Sequence, residues 1–130
     1  MEYLKIGDVI AGVIVRQAML ADTTGFFTPS SLPLQAGVMA YPRAHVIPRH
    51  MHQPQQRSIS GTTEAILVQQ GRLTLHFYAA ADAEPQSVPL HAGDLVILYA
   101  GGHGFTADSD VRILEIKQGP YLEHDDKQCF

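Results

Sequence analysis

The 130-residue sequence predicts an all-β domain. Three observations carry that prediction. Apolar residues come in short stretches, and no long apolar stripe with a period of 3.6 residues is present. Glycine, proline and Asp/Ser/Thr clusters separate the stretches. One stretch, Arg72 to Tyr78, alternates: Leu73, Leu75 and Phe77 are interleaved with Arg72, Thr74 and His76. That is the period of a half-buried strand. About eight or nine such strands joined by regular turns make a sandwich or a closed barrel.

Taken in order, Asp8–Arg16 is rich in Val and Ile and reads as a strand, and Thr23–Pro33 reads as a loop. Gln35–Tyr41 and Arg43–His52 read as strands punctuated by Pro42 and Pro48. Proline donates no backbone hydrogen, so both belong at strand ends, edges or bulges. Gln53–Thr63 is polar, carries Pro54 and Gly61, and reads as a loop. Glu64–Gln69 and Arg72–Tyr78 flank Gln70-Gly71, which reads as a hairpin turn. Ala80–Gln86 is a second turn region. Val88–Leu90 and Leu95–Tyr99 are strands around the His91-Ala92-Gly93-Asp94 turn, and Val111–Lys117 is the last. The polar tail Gly119–Phe130 is expected to pack over the fold or fray. No linker or internal repeat divides the chain, so one domain is expected over residues 1–130.

Composition narrows the function. Net charge is −4, and the nine Lys and Arg are scattered, which disfavours a nucleic-acid partner. The single cysteine, Cys129, makes no internal disulfide and reads as an exposed thiol, so a reducing compartment fits. No apolar run reaches the ~18 residues that span a bilayer, and Met1–Lys5 lacks a signal-peptide order; a cytoplasmic protein is expected. Charged residues are only 17%, so much of the surface must be neutral or hidden in a partner.

The chemistry concentrates in four residues. His50 and His52 stand two apart, and on a strand such residues share a face about 6.5–7 Å apart, close enough to converge on one ion. Glu64 opens the next apolar strand. His103 lies in Gly101-Gly102-His103-Gly104-Phe105, where glycines let the backbone turn sharply. The string Pro48-Arg49-His50-Met51-His52, then Glu64 and Gly71, then Gly93-Asp94 and His103, resembles the two sequence motifs of the cupin superfamily over about residues 35 to 118. It departs from them in places. Ala44 replaces the first glycine, Tyr99 replaces a proline, and His103 comes one residue early. Eleven residues separate His52 from Glu64, which marks Gln53–Thr63 as an insertion, a candidate lid near the mouth of the fold. Gln56 is the rival to Glu64 by spacing, but an amide oxygen is the poorer ligand. The tracts Arg57–Thr62, Gly101–Phe105 and Glu115–Tyr121 look like those of small cupins encoded beside polysaccharide and nucleotide-sugar enzymes.

The resemblance implies a jelly-roll barrel binding one divalent transition metal, Zn, Fe, Mn or Ni, through His50, His52, Glu64 and His103. Three imidazoles and a carboxylate leave open positions for a substrate on a five- or six-coordinate ion. The first functional expectation is a metal-dependent enzyme acting on a small polar molecule, a sugar or sugar derivative, by isomerisation or epimerisation. Alternatives are a non-catalytic metal-dependent module binding a carbohydrate or small acid, and an iron-dependent dioxygenase. Glu115 and Lys117 share a face of the last strand and are the proton-transfer candidates; Arg57 and Tyr121 are candidates for binding substrate. His45, His76, His91 and His124 are expected to be hydrogen-bonded polar residues. Asp8–Arg16 is apolar on both faces, which suggests a covering partner, and cupins commonly dimerise through such sheets; a homodimer is expected.

Overall fold

A computed structural model describes residues 1–19, 24–121 and 127–130. The described residues are all-β apart from one 3₁₀ turn, Gln17–Met19. Its strands are β1 (Glu2–Ile6), β2 (Val9–Val15), β3 (Gly25–Phe26), β4 (Gly37–Val38), β5 (Glu64–Gln70), β6 (Arg72–Tyr78), β7 (Gln86–His91), β8 (Leu95–Leu98), β9 (Gly102–Ala107) and β10 (Arg112–Lys117). Among the described residues, no helix is long and apolar enough to cross a membrane.

Two antiparallel sheets face each other. One has five strands in the order β1-β2-β8-β5-β10, the other three in the order β7-β6-β9. A short β3-β4 pair stands apart from both. From β5 onward the chain changes sheet at every link except β6–β7. Gln70-Gly71 is therefore a crossing between sheets, where a hairpin turn was expected. Gly71 has φ +84°, and a Cβ there would meet the Asp110 carbonyl oxygen at 2.1 Å, so the crossing requires glycine.

The alternation of β6 holds: Leu73, Leu75 and Phe77 are buried, and they meet Ile14, Ile66, Val68, Val96 and Leu98 from the facing sheet in one core. β2 and β5 are interior strands whose near-continuous apolar runs are buried. Because Ala11–Val15 is buried within the single chain, the two-faced apolarity of β2 needs no partner to explain it. Pro89 lies on β7, an edge strand, where its missing donor costs no ladder bond on the open side.

The β7–β8 corner is fastened by Asp94. Its buried carboxylate accepts from the Arg16 guanidinium at 2.9 Å and from the backbone N–H groups of Gln17 and His91 at 3.0 and 3.1 Å. Burial pushes the Asp94 pKa up, but these hydrogen bonds together outweigh it and hold the group below its ordinary value. Arg16 also donates to Glu2 and to the Pro89 carbonyl, both at 2.7 Å, joining β1, β2 and β7.

Three expectations need correction. β1, β3 and β9 are strands the sequence reading left out, β3 lying within the expected loop Thr23–Pro33. The expected strand Gln35–Tyr41 shrinks to Gly37–Val38, and Arg43–His52 forms none. As a result no closed barrel forms among the described residues. Residues 39–62 join neither sheet and are exposed throughout, so β9 and β10 each have a neighbour on one side only.

Candidate functional site

Between the two sheets lies an open cleft of about 940 Å³. Glu64, Ile66 and Glu115 line it from the five-stranded sheet, and His103 and Phe105 from the other. Its centre is a contact across the sandwich: His103 Nε2 lies 3.0 Å from Glu64 Oε2. Glu64 is the first residue of β5, and alternation along that strand turns it inward with Ile66 and Val68, which belong to the core. It is one of few buried charged residues, 6% exposed. A carboxylate taken out of water needs a polar partner, and the His103 ring nitrogen, 3.0 Å away, is the one facing it across the cleft. His103 sits on β9, held against β6 by pairing with Phe77. Gly101, at φ +83°, precedes it; a Cβ there would press on the Phe77 ring at 2.7 Å.

Two donors bonded to one ion at ~2.1 Å each, roughly at right angles, stand about 3 Å apart. The Glu64–His103 spacing therefore fits a shared metal. The other two expected ligands are elsewhere. His50 and His52 belong to the exposed stretch 39–62, with rings edge-on at 5.5 Å, and His50 Nδ1 lies 2.9 Å from the Pro48 carbonyl. Among the described residues, no three His, Cys, Asp or Glu side chains converge. The chain thus unites the second half of the expected ligand set and leaves the first half outside.

The other candidates divide similarly. Glu115 lines the cleft, with Ile113 beside it. Lys117 faces Glu64 in the β10–β5 register, but its ammonium lies 4.5 Å over the Tyr121 ring, and it borders a separate small pocket with Pro33, Leu34 and Ile116. Tyr121 is therefore a support for Lys117 and, like Arg57 in the exposed stretch, stands outside the cleft lining. Gln56 lies in the same exposed stretch. Ser60, Gly61 and Thr62, the end of the expected insertion, reach the cleft.

The sequence reading missed several walls of the cleft. Tyr99 lines it while its hydroxyl donates to the Leu34 carbonyl at 2.9 Å, and burial pushes its pKa up to about 12. Residues 127–130 return to the rim, where Phe130 meets Tyr78 edge-on at 5.3 Å and Cys129 is exposed and unbonded to sulfur. Only the expectation that the tail packs over the fold signalled this. The other histidines behave as polar structural residues. His76 bridges three strands, with Nδ1 2.9 Å from Ser87 Oγ and Nε2 2.9 Å from Thr106 Oγ1. His45 stacks on Tyr41, and the His91 ring stays 3.8 Å from Asp94. His124 lies outside the described residues. Comparison with family models, with curated proteins and with solved structures finds no match to this chain.

Proposed function

We propose that this protein is a metal-dependent cupin whose cleft binds a small polar molecule, a sugar or sugar derivative, and isomerises or epimerises it. The observation that carries the reading is the Glu64–His103 pair, 3.0 Å apart and facing a cleft large enough for a monosaccharide derivative. His50 and His52, carried on the exposed stretch 39–62, would complete the ligand set once brought to the cleft. A bound divalent ion would polarise a carbonyl or hydroxyl of the sugar. The chain's own residues do the rest. Phe105 and Ile113 offer apolar surface to a sugar face, and Glu115 on the cleft wall holds or moves a proton. Lys117, turned onto Tyr121, keeps its charge close to the Glu64 end of the strand without entering the cleft.

Titration of metal-stripped protein with cobalt(II), followed by visible absorbance, tests this reading. Wild type is expected to take up about one equivalent, and Glu64→Gln and His103→Ala to lose most of that binding. Equal uptake by all three, or none by wild type, would remove the metal reading. Cobalt-loaded protein that binds monosaccharides but turns none over, with Glu115→Gln binding equally well, would leave a non-catalytic binding module.

A further inference from the structure

A segment with no role in either sheet borders the cleft beside the Glu64–His103 pair. Lys127, Gln128, Cys129 and Phe130, consecutive in sequence, all line it. A stretch of chain laid along a cleft in this way needs something to hold it, and the hold is at its last residue.

The Phe130 ring sits on Tyr78 and Gly102, which pair with each other in the β6–β9 ladder. Cross-strand neighbours share a face of a sheet. Tyr78 follows the buried Phe77 on β6, so this face is the one turned away from the core. Tyr78 meets the ring edge-on at 5.3 Å, a favourable aromatic arrangement. Gly102 is the floor. A Cβ there would stand 2.5 Å from Phe130 Cζ and 2.9 Å from Cε1, so only bare backbone admits the ring. Gly102 has no positive φ, and its backbone would accept a side chain. Gly104, the next residue of β9 on the same face, is the contrast: a Cβ there meets nothing within 4 Å. The two glycines flank His103, and the ring covers only the first.

The segment therefore runs along the cleft and hooks over β9, an edge strand, onto the outer face of the small sheet. The hook is shallow. Phe130 stays 65% exposed, so little apolar surface holds it, and its release needs only a loop-scale motion. Charge adds a second hold. Lys127 is the one Lys or Arg of the lining among the described residues, and the same lining carries the carboxylates of Glu64 and Glu115. That attraction draws the segment toward the cleft and is screened by salt.

We infer that residues 127–130 are a strap over the cleft, fastened by Phe130 in the notch at Gly102, and that its release opens the way to Glu64 and His103. The strap rests on packing and stands whether or not the pair holds a metal.

The chain has no tryptophan, so Phe130→Trp makes a single reporter of the hook. Its emission should lie to the blue of the unfolded chain's. Adding Gly102→Ala should move it to the red and raise acrylamide quenching, whereas Gly104→Ala should change neither. Equal effects of the two alanines overturn the hook. Access is read separately, in a Glu115→Cys/Cys129→Ser background, from the rate of labelling by a maleimide that carries a polyethylene glycol chain. Phe130→Ala and Gly102→Ala should each raise that rate about two- to tenfold, the range over which one aromatic pair shifts an open–closed equilibrium. Together they should raise it no further than either alone, because both release the same contact. Phe130→Ala alters an exposed side chain, so its labelling rate decides the matter even if Trp fails to seat or Gly102→Ala disturbs β9. An unchanged rate in Phe130→Ala overturns the strap, and additive increases in the double variant overturn the notch at Gly102 as its fastening.

Discussion

The two sheets and the arm between β4 and β5 obey different physics. In the sheets, Leu75, Leu90 and Val96 are wholly buried and most backbone groups are spent on ladders. In residues 39–62 the apolar side chains are of similar size, yet Met51 is 88% and Val46 77% exposed, and no ladder is made. The sheets hold their conformation by burial; the arm holds a shape without the burial that would stabilise it. The same contrast runs through the site, where Glu64 and His103 are fixed by strands and His50 and His52 are carried on the exposed segment. What separates the regions is the partner each apolar surface has, and it is there that the contrast can be broken or sharpened.

The largest effect is expected in the core. Leu75→Ala should destabilise the fold by about 2–5 kcal/mol, read from urea unfolding, because its site is closed by both sheets. A loss below ~1 kcal/mol would mean that the two sheets are not packed as described. Next comes Asp94→Ala, which strands the N–H groups of Gln17 and His91 and costs about 2–3 kcal/mol. Its pH dependence has a defined sign. The folded pKa of Asp94 is depressed, so its contribution is present above the unfolded carboxyl value near 4 and is lost as pH falls through the folded value. Wild type should therefore lose stability over that acid window, and Asp94→Asn should lose less. Parallel acid limbs would deny Asp94 that role. The smallest effect sharpens the comparison most. As an exposed residue, Met51→Ser should cost within about 0.5 kcal/mol at nanomolar protein. A larger cost that grows with protein concentration would show that a second copy covers this stretch. A cost independent of concentration would leave the arm without a covering surface.

Much of this fold was legible beforehand, and the reasons differ by element. β6 and β7 were readable because one face is buried and the other polar, as Leu73, Leu75 and Phe77 show against Thr74 and His76. β1 was missed because only Leu4 of Glu2–Ile6 is fully buried, leaving no alternation to detect. β9 was missed because Gly102-His103-Gly104 has turn chemistry; pairing with β6 makes it a strand despite weak propensity. Arg43–His52 shows the opposite failure. Val46 and Ile47 favour a strand, but a strand needs a neighbour, and residues 39–62 pair with neither sheet although β9 and β10 are edges. The candidate site divides along the same line. Glu64 and His103 were singled out by their positions and meet, whereas the two-residue spacing of His50 and His52 aligns them only if the stretch is a strand, and it forms none.

On the proposed reading, Glu64 and His103 hold a metal together with His50 and His52. Elemental mass spectrometry on untagged wild type, beside His50→Ala/His52→Ala, tests it most directly. About one equivalent of a transition metal per chain is expected in wild type and almost none in the double variant. Equal metal in both would exclude the arm from the site, and no metal in either after reconstitution would contradict the claim.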